Sequence, residues 1–280
     1  MRIVMEGGGC RSAYSSGILD VLARSGVDVT SIVGSSSGAM NSAFFAAGQT
    51  DNLVELWQDE RVVKRMVSIA RFFNPFASPG LDIDYLVDVQ LRELGALDAE
   101  RVTTSQTSFH TVAVDVQNMC SVVHKPTAET LWPWLKASMA MPLAYNRLVN
   151  IEGRDYVDTG VLDPVPYKTQ GLPPNDGPTV VILTRRAEVR KTAPPFWAQF
   201  LLKKVTHPNV ARATLKQHEF HNTLMDELVE GHKNRQLILV EPPKNMPVSR
   251  LTTTKEKLKK GQDMGRLVGE ELLRTLEGVL

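Results

Sequence analysis

The sequence has few of the features that hold together a secreted or membrane-spanning protein. Its 280 residues include two cysteines, Cys10 and Cys120, which are too few for a disulfide framework. No apolar run is long enough to span a bilayer, and the first apolar stretch passes directly into glycines, so we expect no signal peptide. These absences favour a reducing compartment, and we expect a cytoplasmic protein.

A strong excess of charge of one sign is also missing. The sequence has 32 lysines and arginines and 31 aspartates and glutamates, which gives a formal net charge of +1. A balance so close to neutral gives no support for nucleic-acid binding, which requires a basic surface. The length suits one large domain or two small ones.

Two glycine-rich stretches near the start of the sequence carry the strongest functional signal. Residues 2–5 form a short apolar run, which predicts a strand, and Glu6 leads from it into Gly7-Gly8-Gly9-Cys10-Arg11. Residues 30–33 predict a second buried strand that ends in Gly34-Ser35-Ser36-Ser37-Gly38. This second stretch fits Gly-x-Ser-x-Gly, a pattern that places a serine on a sharp strand-to-helix turn.

The two stretches are expected to lie at the same edge of a sheet. Residues 12–23 have apolar side chains at helical spacing, so the order is strand, loop, helix, strand, loop. A right-handed crossover makes the two strands parallel, and their carboxyl ends then emerge together. Backbone N–H groups of the first loop suit a developing negative charge, and an exposed serine suits a nucleophile. Both parts belong to an acyl-transfer site. On these residues alone an ordinary Ser/Gly turn stays open for residues 34–38. Cys10 is expected to be a small packed residue, with a reactive thiol as the alternative.

A serine nucleophile needs a base that takes its proton. An α/β-hydrolase triad would use one of the six histidines, but several strands precede the nucleophile in that fold, and here only one does. Asp158 is the better candidate, because it lies in a loop that follows a strand and is flanked by Gly160 and Pro164. Burial would raise its proton affinity towards neutral pH. The alternative is that Asp158 closes an Asx-turn before Gly160.

Other carboxylates have simpler explanations. Asp82 and Asp84 precede a helical run at residues 85–94, so capping of that helix is preferred to a metal site. Asp115 ends a strand predicted for residues 108–116, where we expect it to cap a turn. The remaining predicted elements are helices at 39–47, 51–69, 130–141 and 255–276, a helical segment at 194–233, a hairpin at 150–157, and strands at 180–183 and 236–240.

The three blocks Gly7–Arg11, Gly34–Gly38 and Asp158-Thr159-Gly160 together resemble those of the patatin-like phospholipases. Residues 137–142 are similar to the family's block between serine and aspartate, and the C-terminal third resembles its bacterial branch. The resemblance implies a three-layer α/β/α fold with a central, mostly parallel sheet. It implies one domain over residues 1–280, with a catalytic core at about 1–185 and an extension at about 186–280.

The resemblance also implies an activity, a phospholipase A-like lipid acyl hydrolysis through an acyl-enzyme. Ser36 would be the nucleophile and Asp158 the base of a Ser–Asp dyad, without metal or organic cofactor. The residues of the implied oxyanion hole are Gly7, Gly8, Gly9, Cys10 and Arg11. The expected partner is a lipid or acyl-ester substrate. Transient contact with a membrane surface stays open at two places. One is a loop with Phe72, Phe73 and Phe76, whose rings are expected to fill the core, with an acyl pocket as a further alternative. The other is the Lys/Glu-rich C-terminal helix, whose charges are expected to form a solvated face.

Two positions depart from the family pattern. Ser12 and Thr159 each stand where the family usually has glycine, and a threonine disfavours positive φ. These departures leave open a second function, a lipid-binding protein with a weakened catalytic site. A dinucleotide-binding loop is disfavoured, because it requires a glycine at the position of Ser12 and an acidic residue at the end of the second strand. That strand ends in Gly34-Ser35-Ser36 instead.

Overall fold

The computed structural model describes residues 1–72 and 79–278, so Phe73 and Phe76 of the predicted phenylalanine loop lie outside the described residues. Within these residues the strands are β1 (Arg2–Met5), β2 (Ser31–Ser35), β3 (Ser108–Asp115), β4 (Cys120–His124), β5 (Val149–Ile151), β6 (Arg154–Asp158), β7 (Thr179–Ile182) and β8 (Ile238–Val240). The helices are α1 (Ser12–Ser25), α2 (Ser37–Ala46), α3 (Thr50–Gln58), α4 (Glu60–Met66), α5 (Ile69–Phe72), α6 (Ala99–Thr103), α7 (Leu131–Met139), α8 (Phe196–Val205), α9 (Pro208–Lys233) and α10 (Lys255–Glu277). A π-helical segment spans Tyr85–Glu93.

The strands form one mixed sheet. Each strand is hydrogen-bonded to the next in the series β5-β6-β3-β2-β1-β7-β8, and β4 also pairs with β3. The centre of the sheet is parallel, from β3 through β2, β1 and β7 to β8. Strands β4, β5 and β6 are antiparallel to their neighbours. The predicted parallel crossover from β1 through α1 to β2 is therefore confirmed.

Helices cover both faces of the sheet. Ile3 and Met5 of β1 pack in a core cluster together with side chains of α1, α2, α7 and α10. Val4, which points to the opposite face, packs with Met225 and Leu228 of α9. Strands that are buried on both faces read as continuous apolar runs, which is why residues 2–5 predicted a strand without alternation. The predicted three-layer α/β/α arrangement is confirmed.

Helix α10 crosses α1 at very short range. A Cβ at Gly265 would lie 2.0 Å from the carbonyl oxygen of Tyr14, and one at Gly17 would lie 2.1 Å from that of Gln262. Only glycine permits such an approach of two helix backbones. Gly17 and Gly265 therefore let the C-terminal helix pack directly against the first helix of the core.

The predicted elements differ from the observed ones mainly where a predicted helix is interrupted. The helix expected at 51–69 is divided at Asp59, whose side chain caps α4 by accepting the Arg61 N–H at 2.9 Å. In the predicted hairpin, Glu152 and Gly153 have φ values of 51° and 81°, as a type I′ turn requires. Within residues 1–72 and 79–278, no helix has both the length and the apolar character needed to cross a membrane.

Strand β3 brings the ends of two other strands together. Ser35, the last residue of β2, pairs with Val112 of β3, and Asp158, the last residue of β6, pairs with the next residue, Ala113. Because β4 occupies one edge of β3 along this stretch, β2 and β6 share the other edge. They run towards each other, so their carboxyl ends meet.

Candidate active site

Ser36 stands at the turn between β2 and α2 in a strained conformation. Its φ of 53° and ψ of −131° lie in a region that residues with a side chain rarely adopt, at a typical cost of about 1–3 kcal/mol. The Ser36 N–H donates a hydrogen bond to Oγ of Ser138 at 3.0 Å. The turn is therefore held by a partner from a distant part of the chain.

The glycines on either side of Ser36 are required by close packing. A Cβ at Gly34 would lie 2.5 Å from the backbone nitrogen of Ala39, at the start of α2. A Cβ at Gly38 would lie 2.8 Å from the carbonyl oxygens of Met5 and Glu6, at the end of β1. The Gly-x-Ser-x-Gly spacing thus lets α2 begin directly against the ends of both strands.

Asp158 is buried beside this turn, with 1% of its surface exposed. Burial raises the pKa of its carboxyl to about 6, while the Gly160 N–H, the Ser36 hydroxyl and the charges of Arg250 and Lys191 limit the rise. Oδ1 accepts the Gly160 N–H at 2.6 Å, which confirms the Asx-turn. Oδ2 has no hydrogen-bond partner among the described residues. The turn fixes one carboxyl oxygen and leaves the other available to receive a proton.

The block at residues 137–142 holds both strand ends. Ser138 accepts the N–H of Ser36, and the carbonyl oxygen of Ala140 accepts the N–H of Asp158 at 3.1 Å. The sequence identifies this block only by resemblance and predicts no contacts for it. Its geometry makes it the clamp that fixes the two candidate catalytic residues relative to each other.

The glycine loop contributes fewer free donors than the sequence suggested. The N–H of Gly8 donates to Oγ of Ser37 at 3.0 Å, that of Cys10 to the carbonyl of Arg250 at 3.1 Å, and that of Arg11 to the carbonyl of Gly8 at 3.3 Å. Gly7 lines the cavity beside Ser36, and in the described part of the chain its N–H has no acceptor.

Cys10 is a packed residue. It is fully buried, and burial raises the pKa of its thiol to about 12. The reactive-thiol interpretation is therefore wrong, because the thiolate is the reactive form and does not form at neutral pH.

The two departures from the family pattern are built into this network. The Ser12 hydroxyl lies 2.7 Å from Oγ of Ser37, the group that holds Gly8. Thr159 is fully buried and its φ is not positive, and its hydroxyl donates to the carbonyl of Val112 on β3. The loop at Asp158 therefore does not need the conformation that threonine disfavours.

A cavity of about 140 Å³ opens in front of Ser36 and Asp158. Its lining combines apolar and polar residues. The apolar ones include Met141, Pro142, Leu143, Val161, Pro164 and Leu202, and the polar ones include Glu6, Lys191, Thr214, Gln217 and Arg250. Such a lining suits a ligand that has both apolar and polar parts.

None of the cavity-lining residues among those described is a histidine. His221 is buried on α9, where its Nε2 lies 2.9 Å from Nη2 of Arg185. Burial first, and then the charges of Lys191, Arg185 and other cations, lower its pKa to about 3. His221 is therefore neutral at physiological pH.

The other candidate carboxylates have structural contacts. Asp82 accepts the Tyr85 N–H at 3.1 Å, as expected of a helix cap, and also pairs with Arg71 at 3.2 Å. Asp84 pairs with Lys136 and Arg147, each at 3.1 Å. Asp115 accepts the backbone N–H groups of two residues that follow it, at 2.8 and 2.9 Å, so the predicted turn cap is confirmed.

Sequence reasoning missed the residues that reach the cavity from the C-terminal part. Lys191, Gln217 and Arg250 line it, although each is far along the chain from Ser36. Gln217 donates to the carbonyl of Gly160, beside Asp158. No pattern in the sequence marks these residues, since their position depends on how α9 and the segment before α10 pack.

Comparisons with known proteins identify families and proteins that are similar to this chain. Residues 3–169 match the family described as patatin-like phospholipase, and residues 207–280 match a domain of unknown function, DUF6363. The uncharacterized protein YjjU of Escherichia coli (strain K12) is 25% identical over 288 residues, covering 99% of this chain and 78% of YjjU. VipD from Legionella pneumophila, known from a crystal structure, is similar in fold, with a TM-score of 0.52 and 13% identity. That match covers 98% of this chain but 66% of VipD, which is less than two thirds of its length.

Replacing Asp158 with asparagine is expected to stabilise the protein at pH values above about 6. Burial raises the folded-state pKa from 3.8 to about 6, so between these values the unfolded chain binds fewer protons and wild-type stability falls as pH rises. A shift of two pKa units lowers the free energy of unfolding of the wild type by about 3 kcal/mol once the carboxyl is ionised. The variant has a neutral asparagine and does not lose this stability. Urea unfolding at about pH 4.5 and pH 8 measures the gain.

The matched control is Asp176→Asn at an exposed position, which should change the free energy of unfolding little at either pH. If Asp158→Asn is no more stable than the wild type at the higher pH, burial does not raise the pKa of the Asp158 carboxyl to about 6.

Proposed function

Because the chain belongs to the patatin-like phospholipase family, we propose that it hydrolyses the acyl ester of a lipid with Ser36 as nucleophile and Asp158 as base. The observation that carries this proposal is the meeting of β2 and β6 on β3, which sets the strained serine against a buried carboxylate with a free oxygen. The cavity in front of them has both apolar and polar lining residues, which supports a substrate with an apolar chain and a polar head.

The proposed reaction has two steps. Asp158 takes the proton of the Ser36 hydroxyl as Oγ attacks the acyl carbon, and the proton passes to the departing alkoxide, which leaves as the alcohol. Water then attacks the acyl-enzyme and gives a proton to Asp158, which returns it to Ser36 as the fatty acid leaves. A pKa of about 6 supports Asp158 in this role, because the carboxylate is ionised at neutral pH yet more basic than an exposed aspartate.

The oxyanion of each tetrahedral intermediate needs donors that are not already used. Within the Gly7–Arg11 loop we propose the Gly7 N–H as the main donor, since a Cβ at Gly7 would lie 2.5 Å from Cβ of Ser36. The first N–H groups of α2, which begins at Ser37, support the same charge. Gly8 contributes by holding the loop on Ser37.

The alternative function, a lipid-binding protein with a weakened site, rested on Ser12 and Thr159. Both residues form buried hydrogen bonds that stabilise the loops around Ser36 and Asp158. These contacts favour an enzyme over a binding protein.

We further propose that residues 186–280 and the core act as one catalytic unit. The contact of α10 with α1, and the placement of Lys191, Gln217 and Arg250 in the cavity, support this view. Removing the extension would then remove part of the cavity wall as well as a helix layer.

Transient contact with a membrane surface is proposed for α8, a site that differs from the two that the sequence left open. Phe196, Trp197 and Phe200 are 84%, 69% and 64% exposed on one face of this helix. Leu202, on the same helix, lines the cavity, and Lys203 and Lys204 add positive charge. An exposed aromatic face with lysines beside it is typical of helices that lie at a lipid interface.

A fluorophosphonate with an alkyl chain is expected to form an adduct with Ser36, because its tetrahedral phosphorus mimics the intermediate that the loop donors stabilise. Mass spectrometry of the labelled peptide identifies the residue, and Ser36→Ala is the matched control that should take no label. An adduct at Ser35 or Ser37, or no adduct, would contradict the proposal.

The aromatic face of α8 is expected to drive binding to vesicles of phosphatidylcholine and phosphatidylglycerol. The double variant Trp197→Ser, Phe200→Ser should bind about tenfold more weakly or worse in a sedimentation assay, since each buried aromatic side chain is worth about 1.5–3 kcal/mol. Phe220→Ser removes an exposed aromatic side chain from α9 and should bind as the wild type does. Equal binding by the double variant would exclude α8 as the contact.

A further inference from the structure

Leu143 has a backbone conformation that leucine disfavours. Its φ of 66° lies in the left-handed region, which residues with a bulky side chain rarely adopt. The residue stands third in a turn over residues 141–144, in which the Ala144 N–H donates to the carbonyl of Met141 at 3.2 Å. Pro142 stands second, as in a type II turn, and the third position of that turn normally takes glycine. Leucine therefore costs more free energy here than glycine would.

Contacts on both sides of the turn hold it in this conformation. Before the turn, the carbonyl of Ala140 accepts the Asp158 N–H at 3.1 Å. At its end, the carbonyl of Ala144 accepts the Leu81 N–H at 3.0 Å. Strain persists where the surroundings determine the backbone so completely, and it is concentrated at sites that bind or react. The positive φ of Leu143 therefore calls for a reason that lies in its side chain.

The side chain of Leu143 is not used in the hydrophobic core. It belongs to none of the three core clusters that the described residues form. Ala140 and Tyr145, on either side of the turn, both pack in the first of these clusters. Leu143 instead lines the cavity that contains Ser36 and Asp158. Packing of the core therefore does not explain why leucine stands at this position.

The cavity wall beside Leu143 suits an alkyl chain. Met141 and Pro142, the two residues before it, line the same cavity, as does Leu202 of α8, which is 2% exposed. The main favourable interaction that such side chains offer is the burial of apolar surface. A cavity of about 140 Å³ is close in size to one of about 150 Å³ that holds a benzene molecule in another protein. About six carbon atoms therefore fit, and the bulk of the wall decides how long a chain is accepted.

We propose that Leu143 is a specificity-determining residue that contacts the acyl chain of the substrate and limits its length. The inference rests on the proposed acyl hydrolysis, because the acyl chain reaches the cavity as part of the ester that Ser36 attacks. It goes further by assigning the choice among acyl chains to one side chain. Glycine would relieve the strain of the turn but would leave this part of the wall open, which accounts for the leucine.

Hydrolysis of p-nitrophenyl esters of graded chain length tests the inference with Leu143→Ala and Leu143→Gly. In the wild type, kcat/KM should rise about fourfold with each added methylene and stop rising at about six carbons. Both variants enlarge the cavity, so both should accept longer chains. The ratio of kcat/KM for the decanoate to that for the hexanoate should rise about tenfold or more, as burial of about two further methylenes would give.

Asn146→Gly is the matched control. Asn146 lies in the same loop with a φ of 58°, is exposed, and is not among the described residues that line the cavity of Ser36. Glycine there gives the loop more backbone freedom but leaves the cavity wall intact, so the ratio should stay at the wild-type value. If both Leu143 variants keep the wild-type ratio, the inference is refuted while the acyl hydrolase stands. An equal shift in Asn146→Gly would also refute it, because loop freedom would then set the chain length.

Urea unfolding tests the strain separately. Leu143→Gly should have a higher midpoint than Leu143→Ala, because both changes remove the leucine side chain and only glycine removes the cost of the positive φ. A lower midpoint for Leu143→Gly would contradict the strained turn from which the inference starts.

Binding to Ser36→Ala protein separates this inference from the proposed function. Calorimetry with hexanoate and decanoate needs no turnover, and adding Leu143→Ala should raise the affinity for decanoate relative to hexanoate about tenfold. If the wild type hydrolyses no ester and Ser36 takes no fluorophosphonate, the proposed function fails, yet this shift would still support Leu143 as the chain contact. An unchanged ratio of affinities would overturn the inference whatever the hydrolysis shows.

Discussion

The pairing of two strand ends on one edge of β3 is the constraint on which the site depends. Ser35 pairs with Val112 and Asp158 with Ala113, so the turn of the proposed nucleophile and the loop of the proposed base begin one residue apart along β3. A shift of one residue in either pairing would turn the side chains of that strand to the opposite face of the sheet. The geometry of the proposed dyad is therefore a property of sheet register, which the whole fold maintains.

The remaining contacts hold groups that are unfavourable by themselves. Ser36 has a positive φ, and the carboxyl of Asp158 is desolvated. Ser138 and the carbonyl of Ala140 bind the backbone of these two residues, and Thr159 ties the second loop to β3. A strained backbone and an unusual pKa persist at functional sites when many surrounding contacts hold the residues in place. Asparagine in place of Asp158 keeps the shape of the loop, so this network should survive the change.

Much of the candidate active site was predictable from local patterns. The glycine spacing around Ser36, the crossover from β1 to β2 and the Asx-turn at Asp158 depend on neighbours in sequence, and each is found in the structure. Which N–H groups of the glycine loop stay free was not predictable, because the partners of Gly8 and Cys10 lie at Ser37 and Arg250. Lys191, Gln217 and Arg250 were missed for the same reason, because they reach the cavity from positions far from Ser36 in the sequence.

We propose that Asp158 takes the proton of Ser36 without a histidine, and the kcat of Asp158→Asn on a p-nitrophenyl ester measures whether this carboxylate is needed. An unfolding transition like that of the wild type would show that the variant keeps its fold. Binding of the fluorophosphonate without rapid reaction would show that it keeps its cavity. We expect a loss of about 10³-fold or more, the scale of removing one member of a catalytic unit. A folded Asp158→Asn enzyme that keeps more than about a tenth of the wild-type kcat would show that Asp158 is not the base.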